Sequence, residues 1–412
     1  MMGAVTETFL IAAFIILLGF AGNEIFERKG LPPYLFLIAA GIVLGPVLGI
    51  INGVSLLPIL GIVAELTLMM VLLYSGFDIN IFKEEGISLR TTLQVLLYVS
   101  LSIIIITAAF KFILGWTFLE ALILGSIVGG ETTAVVIVSL SKSLKIGKDP
   151  TTFIRLESAL NSVLLVVLFL TFTSVNSVGG IDLTTVIYRI FSEFSVAIVI
   201  GVILSLLWLF ILNKVKERPY NYVLTLGFAL LTFAITDLVG GNPLLAVLSF
   251  GIILGNGKTV AKLFNQNFDP KIKTHLNMFQ TEFNFILVTF FFVFLGLILV
   301  LSWQNVIEGA GMAALIIVIL LAARYLSLAI STYKAKIAKY RPLFLVMCAQ
   351  GVTPATLAVL AFTEGLPMSV LYLNIVTYVI IFTNVITTIG VFVLVRRGSI
   401  STKMSTQGQS NT

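Results

Sequence analysis

Charge is what this chain of 412 residues has least of: Asp, Glu, Lys and Arg together make up 11% of it, against 58% hydrophobic residues. A soluble domain carries about 25% charged residues. So few charges do not cover a soluble surface of this size, which excludes soluble enzymes and nucleic-acid binders and leaves a polytopic membrane protein. One cysteine, Cys348, excludes an intramolecular disulfide framework and is expected to pack as a small hydrophobe. One histidine, His275, excludes a multi-histidine metal site, and no cofactor motif is present. The N-terminus lacks a basic stretch before its first apolar run, so a cleavable signal peptide is not expected and that run is read as a retained span. No cluster of carboxylates or histidines lies at a span end, so an integral-membrane enzyme is not expected either.

What is present is a series of apolar segments. A helix needs about 20 mostly apolar residues to cross the hydrocarbon. Thirteen segments qualify, near 8–26, 34–50, 57–77, 92–114, 118–140, 151–174, 185–212, 221–239, 243–256, 279–302, 306–333, 342–362 and 369–395. Alternate connections collect 22 of the 25 basic residues, and the other face keeps only Lys111 and Arg189. The positive-inside rule then puts the N-terminus outside and the C-terminus in the cytoplasm of a plasma (inner) membrane. The connection from Gly257 to Asn277 alternates Lys with apolar residues and reads either as an interfacial helix or as a solvated loop. The tail 399–412 is polar.

Three pairs of fragments look alike: Ala40-Gly-Ile-Val-Leu-Gly-Pro46 and Phe250-Gly-Ile-Ile-Leu-Gly-Asn256; Gly76-Phe77 and Gly296-Leu297; Gly130-Glu-Thr-Thr-Ala134 and Gly351-Val-Thr-Pro-Ala355. Members of a pair stand seven spans apart. Seven is odd, so the halves run in opposite directions, the inverted-topology repeat of secondary transporters that alternate access around a midplane site. The fold class is therefore all-α, with an inverted repeat and two crossed discontinuous helices. The expected division is 1–184 as first repeat (core helices 92–174), 185–220 as linker helix and 221–398 as second repeat (core helices 306–395). Gly129-Gly130 and Gly351…Pro354 are expected to interrupt spans 5 and 12 at mid-depth. Such breaks are tolerated there only where they line a cavity or are packed in protein.

Ionisable residues inside spans are costly and are functional candidates by default. Four stand out: Glu65, Glu131, Glu157 and Arg324. At 1.5 Å per residue Glu131 lies about 13 Å from the cytoplasmic end of its span. Asn161, Ser162 and Thr353 lie at about 15–17 Å. These depths meet near the middle of a hydrocarbon core about 30 Å thick. Glu131, with the Thr132 and Thr133 hydroxyls, suits a hard monovalent cation, and a carboxylate out of water holds either a proton or a cation. The competing reading is a carboxylate that caps the amides of a broken helix. Glu157 and Arg324 come within reach of each other and read as a structural ion pair. Glu65 either lines a pathway or bonds a neighbouring helix. His275 is a weak candidate for a pH sensor.

These residues resemble the monovalent cation/proton antiporter superfamily. Leu31-Pro-Pro-Tyr34-Leu35 with Gly41…Gly45-Pro46 is similar to that family's second span. Glu65-Leu…Tyr74-Ser-Gly-Phe-Asp78 resembles the potassium-efflux branch. Glu131-Thr-Thr-Ala134 stands where that branch has Ser-Ser-Thr-Ala and the sodium/proton exchangers have Thr-Asp-Pro-Ala. Glu157-Ser-Ala-Leu-Asn161-Ser162 and Ala323-Arg324-Tyr-Leu-Ser327 resemble the exchangers' Glu-Ser-Leu-x-Asn-Asp and their arginine helix. The resemblance implies a homodimer in lipid, and a scaffold with a six-helix core from spans 4–6 and 11–13 that moves like an elevator. It implies exchange of Na⁺ or K⁺ for H⁺, with the cation at Glu131, Thr132, Thr133, Asn161 and Ser162. It also implies that Glu157 with Arg324 is structural and that Gly351, Thr353 and Pro354 belong to the crossing. One departure matters: the family's Asp after the Asn is Ser162 here, and Glu131 is expected to have taken over its charge across the crossing. The alternatives are a sodium-coupled symporter of a small organic anion and a transport-deficient sensor on the same fold.

Overall fold

A computed structural model describes residues 4–29, 33–51, 53–79, 85–133, 148–177, 183–215, 221–263, 270–299 and 303–396. Every long element among them is helical. They are α1 (Ala4–Lys29), α2 (Pro33–Ile42, prolonged by a π-turn Val43–Val47), α3 (Leu57–Asp78), α4 (Glu85–Phe112), α5 (Phe118–Val128) and α6 (Lys148–Ser177). They continue with α7 (Leu183–Val215), α8 (Asn221–Leu238), α9 (Pro243–Gly255), α10 (Gly257–Leu263), α11 (Pro270–Leu297) and α12 (Trp303–Ser331). The last are α13 (Arg341–Val346), α14 (Val352–Thr363) and α15 (Ser369–Arg396). Among the described residues six helices are long and apolar enough to cross a membrane, and seven shorter apolar helices accompany them. Each of the thirteen segments read from the sequence overlaps one of these thirteen. Residues 134–140 of the fifth, and Lys142 and Lys145 after it, lie outside the described residues.

Local chemistry sets the ends. Thr117 and Glu120 form a reciprocal capping box at the start of α5, with Thr117 N donating to Glu120 Oε2 at 3.0 Å and Glu120 N to Thr117 Oγ1 at 3.3 Å. Asn242 accepts from Leu245 N at 3.1 Å and Pro243 opens α9, where a missing N–H costs nothing. Hydroxyls inside the helices turn back on their own carbonyls, as Thr232, Thr236, Thr377 and Thr383 do four residues back, so they need no water in lipid.

The 257–277 connection is helical over its described parts, α10 (Gly257–Leu263) and the stretch from Pro270 on, so Lys271, Lys273 and His275 stand on the first turns of α11 and the loop alternative does not hold there. One further expectation is corrected. In span 12 the break lies earlier than expected. The non-helical stretch is Met347–Gly351, and Pro354 falls in the first turn of α14, where its ring needs no preceding turn to clash with.

The helices pack as two bundles. α1, α2, α3, α7, α8, α9 and α11 pack on one another, α4–α6 and α12–α15 do likewise, and α3 bridges the two through α14 and α6. Glycines make close helix contacts in the first bundle, and they occur twice. A Cβ on Gly41 of α2 would lie 2.9 Å from Gly296 Cα of α11, and one on Gly251 of α9 would lie 3.4 Å from Gly76 Cα of α3. One turn on, a Cβ on Gly45 would lie 3.1 Å from Leu297 Cα, and one on Gly255 2.7 Å from Phe77 Cα. These are the residues paired by sequence likeness, with α2 against α11 mirrored by α9 against α3.

Candidate functional site at the broken helices

α5 ends at Val128 because Gly130 turns the chain with φ +95°, and a Cβ there would also press on Val99. Glu131, Thr132 and Thr133 then run without helical structure. Facing them is Met347–Gly351, between α13 and α14. The backbone groups freed by the two breaks bond across the gap. Thr133 N donates to Ala349 O at 2.8 Å, and the Gln350 Nε2 donates to Val128 O at 2.7 Å. Gln350 N donates to Thr383 Oγ1 at 3.1 Å, and Gln350 O accepts from Asn384 Nδ2 at 2.8 Å. Irregular backbone at membrane depth is tolerated where protein satisfies it, as here, or where it lines a cavity.

The Glu131 carboxylate sits at the N-terminus of α14. Its Oε2 accepts from Gly351 N at 2.8 Å, and the Thr353 amide and hydroxyl lie within hydrogen-bonding reach of the same group. The Thr353 hydroxyl is also 3.1 Å from Ser162 Oγ, so its single hydrogen serves one neighbour at a time. Asn161 Nδ2 donates to Thr132 Oγ1 at 3.3 Å. Glu131, Thr132, Asn161, Ser162 and Thr353 are all buried, so the cluster is closed to its surroundings. The capping reading of Glu131 therefore holds in this state. A carboxylate at a helix N-terminus gains from the dipole and from the orphan amides.

The structure thus brings together Glu131, Thr132, Asn161, Ser162, Gly351 and Thr353. Thr133 is adjacent, but its side chain turns to Tyr34 of α2. Pro354 shapes the first turn of α14 without touching the cluster in any described hydrogen bond. Glu65 is elsewhere: it is exposed on α3, where its electrostatic neighbours are Asp237 and Glu364.

Sequence reading passed over two amides. Among the described residues Gln350 Oε1, Asn384 Oδ1 and Asn161 Oδ1 are buried and accept no hydrogen bond. Buried carbonyl oxygens are nearly always paired, and these three unused ones belong to residues that lie on the broken segments or bond to them, Asn161 to Thr132 and Asn384 to Gln350 O. The signal was available: an amide inside an apolar span is costly even without charge.

The second feature is the ion pair. Arg324 of α12 forms two bonds to Glu157 of α6, Nη1 to Oε1 at 3.0 Å and Nη2 to Oε2 at 3.1 Å, with both side chains fully buried. Arg324 Nε donates to Phe344 O at 2.7 Å, which satisfies an orphan carbonyl of α13. The guanidinium lies 5.0 Å from the Tyr98 ring centroid. Gln94 of α4 joins in, with its Nε2 donating to Ser327 Oγ at 2.9 Å and its Oε1 accepting from Ser331 Oγ at 2.8 Å. One network ties α4, α6, α12 and α13 together behind the crossing.

A profile of the family described as sodium/hydrogen exchanger, transmembrane, matches residues 10–397. The chain belongs to that family. This exchanger-family chain is similar to a solved sodium proton antiporter, MjNhaP1 from Methanocaldococcus jannaschii at pH 8, with a TM-score of 0.76 at 20% identity over 96% of this chain and 98% of that one. An electron-microscopy structure of the same antiporter gives 0.74 at 21% identity, covering 99% and 100%. These likenesses establish the fold: all-α, polytopic in the membrane, an inverted repeat with crossed discontinuous helices. Among curated relatives, the K(+)/H(+) antiporter NhaP2 of Shewanella sp. (strain MR-4) is 26% identical over 391 residues. NhaP2 of Shewanella oneidensis is 25% identical over 389 residues. The chain spans 64% of the length of these relatives while 92% of it is matched.

Proposed function

We propose that the chain exchanges a monovalent cation, Na⁺ or K⁺, for H⁺ across the membrane by alternating access, with Glu131 holding the cation in one step and the proton in the other. One observation carries this reading: the Glu131 carboxylate is buried where the two broken segments meet, bonded to Gly351 N at 2.8 Å. Thr132 and Ser162 supply neutral oxygens beside it, Thr133 follows with its side chain turned to Tyr34, and Glu157 with Arg324 holds the bundle that carries the site. The family and the activities for which the relatives are named agree with it. Ser162 in place of an Asp is consistent with a carboxylate moved one helix across the crossing.

The halves 1–184 and 221–398, joined by the 185–220 helix, form the two repeats. α4–α6 with α12–α15 are the moving core, and the other bundle is the scaffold of a homodimer in the plasma membrane. The basic connections face the cytoplasm, as does the C-terminus, and the N-terminus is outside. Glu65, with Asp237 and Glu364, lines an outer approach.

The test is proton movement in proteoliposomes on adding Na⁺, K⁺ or Li⁺, with wild type and Glu131→Gln side by side. We expect cation-dependent flux in wild type and none above the empty-liposome background in the variant. Equal flux in both sinks the assignment of Glu131. A second reading, a sensor without turnover, is favoured by the fact that Glu131 already serves as cap for α14. It predicts cation binding with no flux in either protein.

A further inference from the structure

The two halves of the chain differ at one position that touches the candidate site. The correspondence that pairs Gly41 with Gly251 also pairs Pro33 with Pro243 and Tyr34 with Leu244. Each proline opens its helix, and each following residue is 5% exposed, so the two places are equally buried. Their contacts differ. The Tyr34 ring lies against Gly351, where a Cβ would stand 3.4 Å from Tyr34 Cε2 and 3.3 Å from Thr133 Cβ. Its hydroxyl shares a hydrogen bond with the Thr133 side chain. Behind it the ring stacks on Phe292 of α11, with centroids 4.5 Å apart. Tyr34 thus belongs to the first bundle and touches both broken segments of the second. Leu244 opens α9, whose main neighbours are α3, α7 and α8 of its own bundle.

An inverted repeat alternates access when its two halves exchange conformations. In the exchanged state α9 covers the site as α2 does here, and Leu244 faces Gly130 and Pro354, the counterparts of Gly351 and Thr133. Neither leucine nor proline has a side-chain hydroxyl to offer. We propose that Tyr34 is a latch, a positioning residue whose hydroxyl bond to Thr133 favours the state in which α2 covers the site, while Leu244 leaves the opposite state unlatched. The inference rests on the alternating-access reading. A ligand or contact shifts an equilibrium only by what it offers one state and not the other. Here that difference is one hydrogen bond, worth about a two- to tenfold change in the ratio of states.

The experiment measures that ratio directly and needs no transport. Spin labels go on Phe112→Cys at the end of α4 and Leu238→Cys at the end of α8, 80% and 86% exposed and on different bundles, in a Cys348→Ser background. Pulsed dipolar spectroscopy then gives the distance distribution for this parent and for Tyr34→Phe. Phenylalanine keeps the ring and its stack on Phe292. Tyr34→Phe is expected to move population from the present state to the other, by about two- to tenfold in ratio. Thr133→Val removes the same bond from the other side and should match Tyr34→Phe, which guards against a variant that fails to fold. Distributions for Tyr34→Phe and Thr133→Val that coincide with the parent, in protein of unchanged melting temperature, overturn the latch. Redistribution in a protein whose parent shows no cation-dependent proton flux keeps the latch and overturns the antiport reading instead.

Discussion

Arg324 has no water to turn to, and its guanidinium is held by the Glu157 carboxylate, the Phe344 carbonyl and the Tyr98 ring. Removing one member of such a pair strands the other, at a cost of about 3–5 kcal/mol. Arg324→Ala is therefore expected to lower the melting temperature sharply in detergent, and Glu157→Gln to do so less, since an amide oxygen still accepts from Arg324. A melting temperature for Arg324→Ala within a degree or two of wild type would show the pair to be dispensable. The amide oxygens predict a different phenotype. Gln350→Leu removes an unused acceptor and the tie to Val128, so the cation concentration for half-maximal flux should rise while the ion-pair network stays intact. An unchanged half-saturation, measured by titrating the cation in proteoliposomes, would take Gln350 out of the coordination set. Charge is what made this scale legible in the sequence. Glu131, Glu157 and Arg324 each announce themselves in an apolar span, whereas Gln94, Gln350 and Asn384 carry no charge, and only the fold shows that their partners lie up to 237 residues away.

Elements were legible where apolar length decides them, and less so where a break does. The glycine pair Gly129-Gly130 ends α5 as read from the sequence, because φ +95° is open to glycine and closed to most side chains. At span 12 the sequence points to Gly351…Pro354, yet the helix opens before Met347 and has resumed by Val352. Proline there initiates rather than interrupts, a difference that hangs on one turn of register. The start of α11 was hidden for a related reason: Lys271, Lys273 and His275 carry the polarity of a connection but stand on helical turns, which extend past the hydrocarbon at no penalty. Element packing also yields a prediction. Gly251→Ala puts a methyl group against the α3 backbone, while Gly311→Ala on α12 meets nothing within 4 Å. The first should destabilise, by about 1–3 kcal/mol for overpacking, and the second should be neutral or slightly stabilising. Equal thermal stabilities for the two would contradict the close contact of α3 and α9.

At the scale of the whole molecule the duplicated glycine contacts give the first bundle an internal repeat, and they show in three dimensions a likeness that the sequence carries only in short fragments. Sidedness follows from charge rather than from packing. A tag after Thr412 should be reached by protease in inside-out vesicles and protected in right-side-out ones, and the reverse pattern would invert the topology. The Glu131 contact has one more consequence, for how the protein can change over generations. Gly351 and Thr353 open α14 with amides that no bilayer can satisfy, and the acceptor they use is the same carboxylate that is proposed to meet the cargo. A library of substitutions at position 131 would therefore be sorted by folding before it is sorted by transport. Side chains without an acceptor of that reach vanish first, and Gln survives to be judged on chemistry. Lineages that shed the exchange activity would be expected to keep an oxygen at this place, so that retention of a polar residue at 131 records the architecture of the crossing and, taken alone, says little about what crosses the membrane.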